Sequence, residues 1–421
     1  MNICLVGVNH RTAPVAVREK AAIRTAKLDN SLQLLRAYAS QGIILSTCNR
    51  TEVYTVAGED SHAKAASLNF LQTHLDIPDT TLRRYTYVLE GDVAVEHLFR
   101  IACGLDSMIV GEYEVLGQVS QALEAAEKAK MVNLPLRHLF QNAIRTGRRV
   151  REETEISKNA LSVSSVAVDL AARVIGDLGS CKMLVIGAGE AGRLAAKAAK
   201  DRGVSQIIVA SRTRERASVL AAALGGLPIS MNDLVEELNT CNLVVACAGA
   251  PHWLLDVCHV ETAMRQRPEL PLVIVDIAVP RNVAPAVAQI NNVFLYNIDS
   301  LTQVSEKNRR QREGEVKQAA EIIAAEMAEF TAWWLILEVR PTVSALMKKA
   351  EEIRSAQLNK TLKKLRPLSD EERDNLVAMT KSIITRILQD PISYLKENVN
   401  RNGERTEIVS ELFQLDVEQR R

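Results

Sequence analysis

The sequence predicts a multidomain α/β protein: an α+β N-terminal block, a parallel-sheet α/β block, one long linking helix and a helical C-terminal block. Three observations carry this reading. The apolar pattern changes period along the chain, from mixed, to short buried runs alternating with helical stretches, to purely helical. A glycine-rich turn, Gly187-Ala188-Gly189-Glu190-Ala191-Gly192, joins an apolar run to an alanine-rich one. Residues 300–340 contain no proline and a single glycine, Gly314. The block boundaries are set at 1–155, 156–298, 299–340 and 341–421.

A chain of 421 residues has room for roughly three domains of about 150 residues. Its hydrophobic content of 47% excludes wholesale disorder. Lys plus Arg number 52 and Asp plus Glu 51, so no global basic field points to nucleic acid, and any RNA must meet a local patch. Aromatics at 4% argue against tandem base-stacking platforms. No apolar run approaches the length of a membrane span, so no membrane partner is expected. The start, Met1-Asn2-Ile3-Cys4-Leu5-Val6-Gly7, has no basic leader and reads as a first strand. Seven widely spaced cysteines without a C-x-x-C argue against disulfides or a zinc ribbon and suit a reducing cytoplasm. No ligand spacing points to a bound metal, and no Walker motif is present.

In the first block, Ile3–Gly7 and Gly42–Ser46 read as strands with a helix over Asn30–Ala39 between them. From Ala94 to Arg151 the pattern is helical, broken near Gly104 and Gly111. In the second block, short apolar runs at 183–186, 207–210, 242–247 and 272–277 alternate with helical segments, as buried parallel strands do. In the third, Val316, Ala319, Ile323, Met327, Phe330, Trp334 and Leu337 form one helical stripe, about 60 Å long if unbroken from 300 to 340. Pro341 is expected to break or kink it. The last block carries a stripe of Leu346, Ile353, Leu358, Leu362 and Leu365 and another of Leu376, Met379, Ile383, Ile384 and Ile387. So short a helical block has little core of its own, so it is expected to pack on a second copy.

The glycine turn has the context that makes a G-x-G-x-x-G specific: strand before, helix after, a second strand about 20 residues on. This is a Rossmann-type dinucleotide site. Gly187 permits the tight turn, Gly189 the approach of the pyrophosphate and Gly192 close helix–strand packing. The second strand ends at Ser211-Arg212-Thr213-Arg214, with no acid for a ribose 2′-hydroxyl. Guanidinium groups suit a 2′-phosphate, which favours NADPH; a solvated arginine cluster is the other reading.

Cys48 differs from the other cysteines. In Ile44-Leu45-Ser46-Thr47-Cys48-Asn49-Arg50-Thr51-Glu52 it ends an apolar strand among polar and cationic neighbours, where Arg50 is expected to lower its pKa and could bind a carboxylate. A nucleophile and an inert thiol both remain open there. His97, in a predicted helix over Val93–Ala102, reads most simply as a satisfied half-buried histidine, and His10 is equally well placed. Ser107 and Glu112 lie in a loop that either presents them to a ligand or merely caps and turns. Arg137, Arg145, Arg148, Arg149 and Arg151 have no acid among them, which suits phosphate or an exposed helix face.

Taken together, Gly7–Pro14, Ser46–Glu52, Gly104-Leu105-Asp106-Ser107-Met108, Gly187–Gly192, Asp276-Ile277-Ala278-Val279-Pro280-Arg281 and Tyr296-Asn297-Ile298-Asp299 make the chain resemble the glutamyl-tRNA reductases, in order from residue 3 to about 395. The resemblance implies NADPH-dependent reduction of glutamyl-tRNA to glutamate-1-semialdehyde with release of tRNA, the first step of five-carbon tetrapyrrole (porphyrin) biosynthesis. It implies Cys48 as a nucleophile forming a thioester and His97 as the family histidine. It places substrate contacts on Thr47, Asn49, Arg50, Ser107, Glu112, Tyr113, Glu114 and Gln118, and cofactor contacts on Gly187 to Gly192 with Ser211, Arg212 and Arg214. Arg50 would grip the γ-carboxylate, and the long helix would let the NADPH domain swing toward Cys48. The implied architecture is a catalytic domain, an NADPH domain and a helical dimerisation domain, giving a homodimer whose aldehyde passes to glutamate-1-semialdehyde aminotransferase. The chain departs from the family at Glu112-Tyr113-Glu114, where Glu-Pro-Gln is usual, so Glu114 cannot donate as Gln does; Cys103 stands where Ser or Ala is common. Two other readings stay open on the residues: a cysteine-dependent semialdehyde dehydrogenase working on an acyl phosphate without tRNA, and a non-catalytic tRNA-binding dimer using NADPH as a sensor.

Overall fold

The computed structural model describes residues 3–56, 60–75, 79–157, 163–301, 313–365, 367–397 and 402–415. Its first sheet has the strand order β2-β3-β1-β4, built from β1 (Ile3–Asn9), β2 (Gly42–Ser46), β3 (Arg50–Val56) and β4 (Tyr87–Glu90). All pairings are antiparallel. β1 and β2 fall where the sequence puts them. β3 was not expected: Arg50 and Glu52 interrupt its apolar pattern, yet Thr51, Val53, Tyr54, Thr55 and Val56 are strong strand formers. The helices Asp92–Ala102, Glu114–Lys128 and Leu134–Glu153 fill the predicted helical stretch. Between the first two, Gly104 and Gly111 adopt φ of +75° and +84°, and the Gly111 N–H donates to the Gly104 carbonyl at 3.0 Å. These left-handed positions close a loop that side chains would strain.

A second sheet, wholly parallel, has the order β10-β9-β8-β5-β6-β7. Its strands are β5 (Lys182–Ile186), β6 (Gln206–Ala210), β7 (Leu227–Ile229), β8 (Leu243–Ala246), β9 (Leu272–Asp276) and β10 (Val293–Asn297). The order reverses between β5 and β8, the crevice at which doubly wound sheets bind nucleotides. The four central strands are the predicted ones. The edges β7 and β10 were missed because β7 contains Pro228, and because Phe294 of β10 is exposed.

Both sheets lie within one compact unit, residues 2–324. The second unit runs from Ala325 to the C-terminus. The helix Glu313–Leu362 does not stop at Pro341: that residue lies inside it, so the expected break is absent. One lost backbone donor and one crowded carbonyl cost about 3 kcal/mol, small against the helix packing on either side. Residues 302–312, where the predicted helix begins, lie outside the described residues. The second unit adds helices Asp370–Glu397 and Asn402–Leu412 around a small core of Val339, Leu346, Leu388, Leu395 and Val409. Of the predicted stripes, Leu346 is buried, but Ile353, Leu365, Met379, Ile383 and Ile387 are exposed. Among the described residues no helix is long and apolar enough to cross a membrane.

Candidate active site

Cys48 and Asn49 form the two-residue tip of the β2–β3 hairpin. Ser46 pairs with Thr51, and the Thr47 N–H donates to the Arg50 carbonyl at 2.8 Å. The tip is held from the side by the loop after β1. Asn9 Oδ1 accepts from the N–H groups of Arg11 and Thr12, and the His10 N–H donates to the Asn49 carbonyl at 2.9 Å. Asn49 is buried with its side-chain oxygen unpartnered.

Cys48 is partly exposed and opens into a cavity of about 740 Å³. Thr47, Glu112, Tyr113, Glu114 and Gln118 line the same cavity, and so do Glu190, Ala191, Arg193 and Lys197 of the helix Glu190–Asp201 that follows the glycine turn. One space therefore joins the cysteine to the second sheet's domain. Burial, then Glu112 and Glu114, push the thiol up to about 12, against Arg18. The expectation that Arg50 lowers it is corrected: Arg50 Nη1 donates to Glu52 Oε1 at 2.9 Å and Nη2 to the Asp106 carbonyl at 2.5 Å, and the cation acting on Cys48 is Arg18. Burial pushes Glu112 up to about 7, with Glu114 adding to it and a Ser107 hydrogen bond opposing; burial and Glu190 raise Glu114.

Beneath the hairpin lies a buried polar network. Glu52, wholly buried, accepts from Arg50, from Tyr54 at 2.7 Å and from Tyr87 at 2.5 Å, and its Oε1 is 3.0 Å from His97 Nε2. His97 Nδ1 lies 3.5 Å from Asp106 Oδ2. Burial alone would lower His97, but Glu52 and Asp106 prevail and hold it at about 9. His10 goes the other way, pushed down to about 4 by burial and by Arg50, Arg11 and Arg18. The two histidines that the sequence left level are thus distinguished: at neutral pH His97 is charged and His10 is neutral. His97, Arg50, Asn49 and Ser107 do not line the Cys48 cavity; they lie behind it.

The arginine run separates likewise. Arg151 turns inward, donating to the carbonyls of Ala102 at 2.7 Å and Glu112 at 3.0 Å, and so buttresses the loop. Arg137 pairs with Glu127 and Arg149 with Glu153, while Arg145 and Arg148 stay on the surface.

At the glycine turn, Gly187 has φ +121°, and a Cβ there would come 2.9 Å from the Ala248 nitrogen. A Cβ on Gly192 would come 2.0 Å from the Gly187 carbonyl oxygen. A Cβ on Gly189 would meet nothing within 4 Å, so this backbone faces open space where a phosphate can approach. A cavity of about 260 Å³ is lined by Gly187, Ala188, Gly189, Ser211, Arg212, Thr213 and Arg216. The donor set, without an acid, fits a dinucleotide carrying a 2′-phosphate. Arg216 was missed: it lies in the first turn of the helix Arg214–Leu224 and lines the cavity, whereas Arg214, which opens that helix, does not.

Three family models match: the N-terminal domain of glutamyl-tRNA(Glu) reductase over residues 6–154, shikimate/quinate 5-dehydrogenase over 169–304, and the dimerisation domain of glutamyl-tRNA(Glu) reductase over 318–415. A glutamyl-tRNA reductase of Moorella thermoacetica is 41% identical, covering 99% of this chain and 96% of its own. That of Carboxydothermus hydrogenoformans is 40% identical, covering 99% and 94%. The chain belongs to the glutamyl-tRNA reductase family. The solved glutamyl-tRNA reductase of Methanopyrus kandleri is similar across 98% of this chain and 99% of its own, at 32% identity and a TM-score of 0.51. This member of the family therefore has a reductase N-terminal domain, a dehydrogenase-type nucleotide-binding domain that implies a nicotinamide cofactor, and a dimerisation domain. Among its described residues no cluster of His, Cys, Asp or Glu is placed to hold a metal ion.

Sequence reasoning gave no role to Glu52, Tyr54, Tyr87 or Arg18. The first two carried a signal, since Arg50, Glu52 and Tyr54 alternate and so share one face of a strand. Tyr87 and Arg18 carried none, because only the fold brings them to Glu52 and Cys48.

Proposed function

We propose that the protein reduces glutamyl-tRNA to glutamate-1-semialdehyde with NADPH, through a thioester on Cys48, as the first step of five-carbon tetrapyrrole synthesis. The supporting observation is Cys48 at a hairpin tip, in a cavity walled partly by the helix that follows the nucleotide-binding turn. The aminoacyl ester is already activated, so no ATP site is needed. The Cys48 thiolate attacks the ester carbonyl, the bond to the ribose oxygen breaks, and tRNA leaves as the alcohol. The proton that leaves the Cys48 thiol is the one the ribose oxygen takes, and His97, charged at neutral pH, orients the site from behind the cavity through Glu52 and Asp106. Arg50, buried behind the cavity with its guanidinium on Glu52 and the Asp106 carbonyl, holds the hairpin in place and does not reach the free γ-carboxylate. Glu112 and Glu114 face the substrate's ammonium, which relieves their repulsion and the burden they place on the thiol. Thr47, Tyr113 and Gln118 complete the enclosure, with Asn49 and Ser107 behind it.

Gly187–Gly192 would hold NADPH, with Ser211, Arg212 and Arg216 at its 2′-phosphate, and the bound cofactor would supply a hydride. The thioester carbon accepts it, the carbon–sulfur bond breaks, and the aldehyde departs, leaving Cys48 as thiolate. Purified protein given glutamyl-tRNA is expected to form aldehyde faster with NADPH than with NADH. Arg212→Asp should shrink or reverse that preference, because it sets a repelling charge against the phosphate. No aldehyde, or equal use of both cofactors, would count against this reading.

Homodimerisation through residues 341–421 would cover the exposed Ile353, Met379, Ile383 and Ile387. Light scattering should then give twice the chain mass of 46.4 kDa, and a clean monomer at micromolar concentration would refute the dimer. The seven cysteines, none of them in a disulfide, suit the cytoplasm, where the aldehyde would pass to glutamate-1-semialdehyde aminotransferase.

A further inference from the structure

The helix Val15–Ala21 carries two adjacent charged residues that both reach the nucleotide-binding domain. Arg18, 2% exposed, engages all three guanidinium nitrogens: Nε donates to the Ala13 carbonyl at 3.2 Å, Nη1 to the Cys48 carbonyl at 2.7 Å, and Nη2 to Asp299 Oδ1. Asp299 follows β10, in a turn where its own N–H donates to Asn297 Oδ1 at 2.9 Å. Glu19 accepts from Arg281 three times, from the backbone N–H at 2.7 Å, Nε at 2.6 Å and Nη2 at 2.9 Å. The Arg281 loop is fixed in turn: Asp276, at the end of β9, accepts the N–H groups of Ala278, Asn282 and Val283. Asn282 Oδ1 then accepts the N–H of Ala248, a residue lining the nucleotide cavity. Hydrogen bonds, joined through the Arg281–Asn282 and Arg18–Glu19 backbone, thus run from the nucleotide cavity to the backbone of the nucleophile.

A buried guanidinium shared between a loop carbonyl and a carboxylate on the other domain is costly to assemble unless it fixes something. We propose that Arg18 is a positioning residue, seconded by the Glu19–Arg281 pair, that registers the Cys48 turn to the nucleotide-binding domain so that hydride reaches the acyl thioester before water does. The proposal rests on the Cys48 thioester route. Two fates compete for that thioester. Hydride addition at the carbonyl carbon breaks the carbon–sulfur bond and gives aldehyde and thiolate. Water addition breaks the same bond and gives free glutamate, with thiolate and a proton. Loss of register slows the first, which needs two domains aligned, far more than the second, which needs only solvent.

The test uses the full-length protein with glutamyl-tRNA and saturating NADPH, and measures the ratio of aldehyde to free glutamate. Arg18→Met is expected to lower that ratio at least about tenfold, and Asp299→Asn and Glu19→Gln to lower it less. A purely structural role would slow both products together and leave the ratio fixed. Glu19→Arg combined with Arg281→Glu should recover the ratio that either change alone loses. If Arg18→Met does not fold, Asp299→Asn and the charge-exchanged pair decide the matter. An unchanged ratio in Asp299→Asn and in the single changes Glu19→Arg and Arg281→Glu overturns the proposal. A wild-type protein that forms no Cys48-linked glutamyl adduct, tested by mass spectrometry without NADPH, overturns the thioester route instead.

Discussion

Cys48→Ala is expected to reduce aldehyde formation to background, a fall of about 10⁴-fold or more, while NADPH binding is unchanged. The size follows from the division of labour. If the acyl group must pass through the thiol, the loss is of a step rather than of a contact. The nucleotide cavity contains neither Cys48 nor any residue of the β2–β3 hairpin, so the cofactor should not sense the change. Cys48→Ser sharpens the test, since a hydroxyl at the same place can in principle accept the acyl group but then leaves it as a stable ester. In the free enzyme the thiol is pushed up to about 12 by burial and by Glu112 and Glu114, so alkylation by iodoacetamide should go on rising beyond pH 9 with no plateau. Glu114→Gln removes one of the raising charges and should speed alkylation at a fixed pH. Near-normal turnover of Cys48→Ala would sink the thioester mechanism outright.

The parts of this molecule that the sequence made legible are those governed by local pattern. The parallel sheet declares itself through four buried apolar runs, and its nucleotide turn through glycines whose spacing is a steric requirement: the 2.0 Å approach at Gly192 leaves room for nothing else. Cys48 stood out because its neighbours are polar where those of Cys4, Ile3 and Leu5, are apolar. The parts that stayed hidden depend on distant residues meeting. Arg50 read as a free cation because Glu52 lay two residues away in a stretch not expected to be a strand; once that segment is a strand, the pair shares a face and neutralises itself. His97 read as an ordinary half-buried histidine because the carboxylates of Glu52 and Asp106 reach it from other elements. Pro341 read as a break or kink because its local penalty is real, but packing along a 50-residue helix outweighs it and the helix runs on.

Glu52→Gln is expected to destabilise the first unit by about 3–5 kcal/mol, lowering its melting midpoint by roughly 10 °C. Glu52 is wholly buried and meets four groups at once, two of them the cations Arg50 and His97. Glutamine keeps the shape but removes the charge, and so leaves a buried guanidinium and imidazolium facing each other. The wild-type pH dependence follows from the same contacts. Arg50 and His97 hold Glu52 well below its ordinary 4.5, against its burial, so its contribution is present above that value and is lost as the pH falls beneath it. Glu52 and Asp106 raise His97 from 6.5 to about 9, so its contribution is complete below 6.5 and is lost as the pH rises through 9. The network is therefore strongest between about pH 5 and 6.5 and weakens on both sides. In Glu52→Gln the acid limb should flatten, because the titrating carboxylate is gone, and the alkaline limb should move toward neutrality, because His97 has lost its principal partner. Thermal melts from pH 4 to 10 on both proteins measure all of this. A variant that melts with the wild type at every pH would show that the four contacts on Glu52 contribute nothing net, and the assignment of His97 as the charged histidine would fall with them.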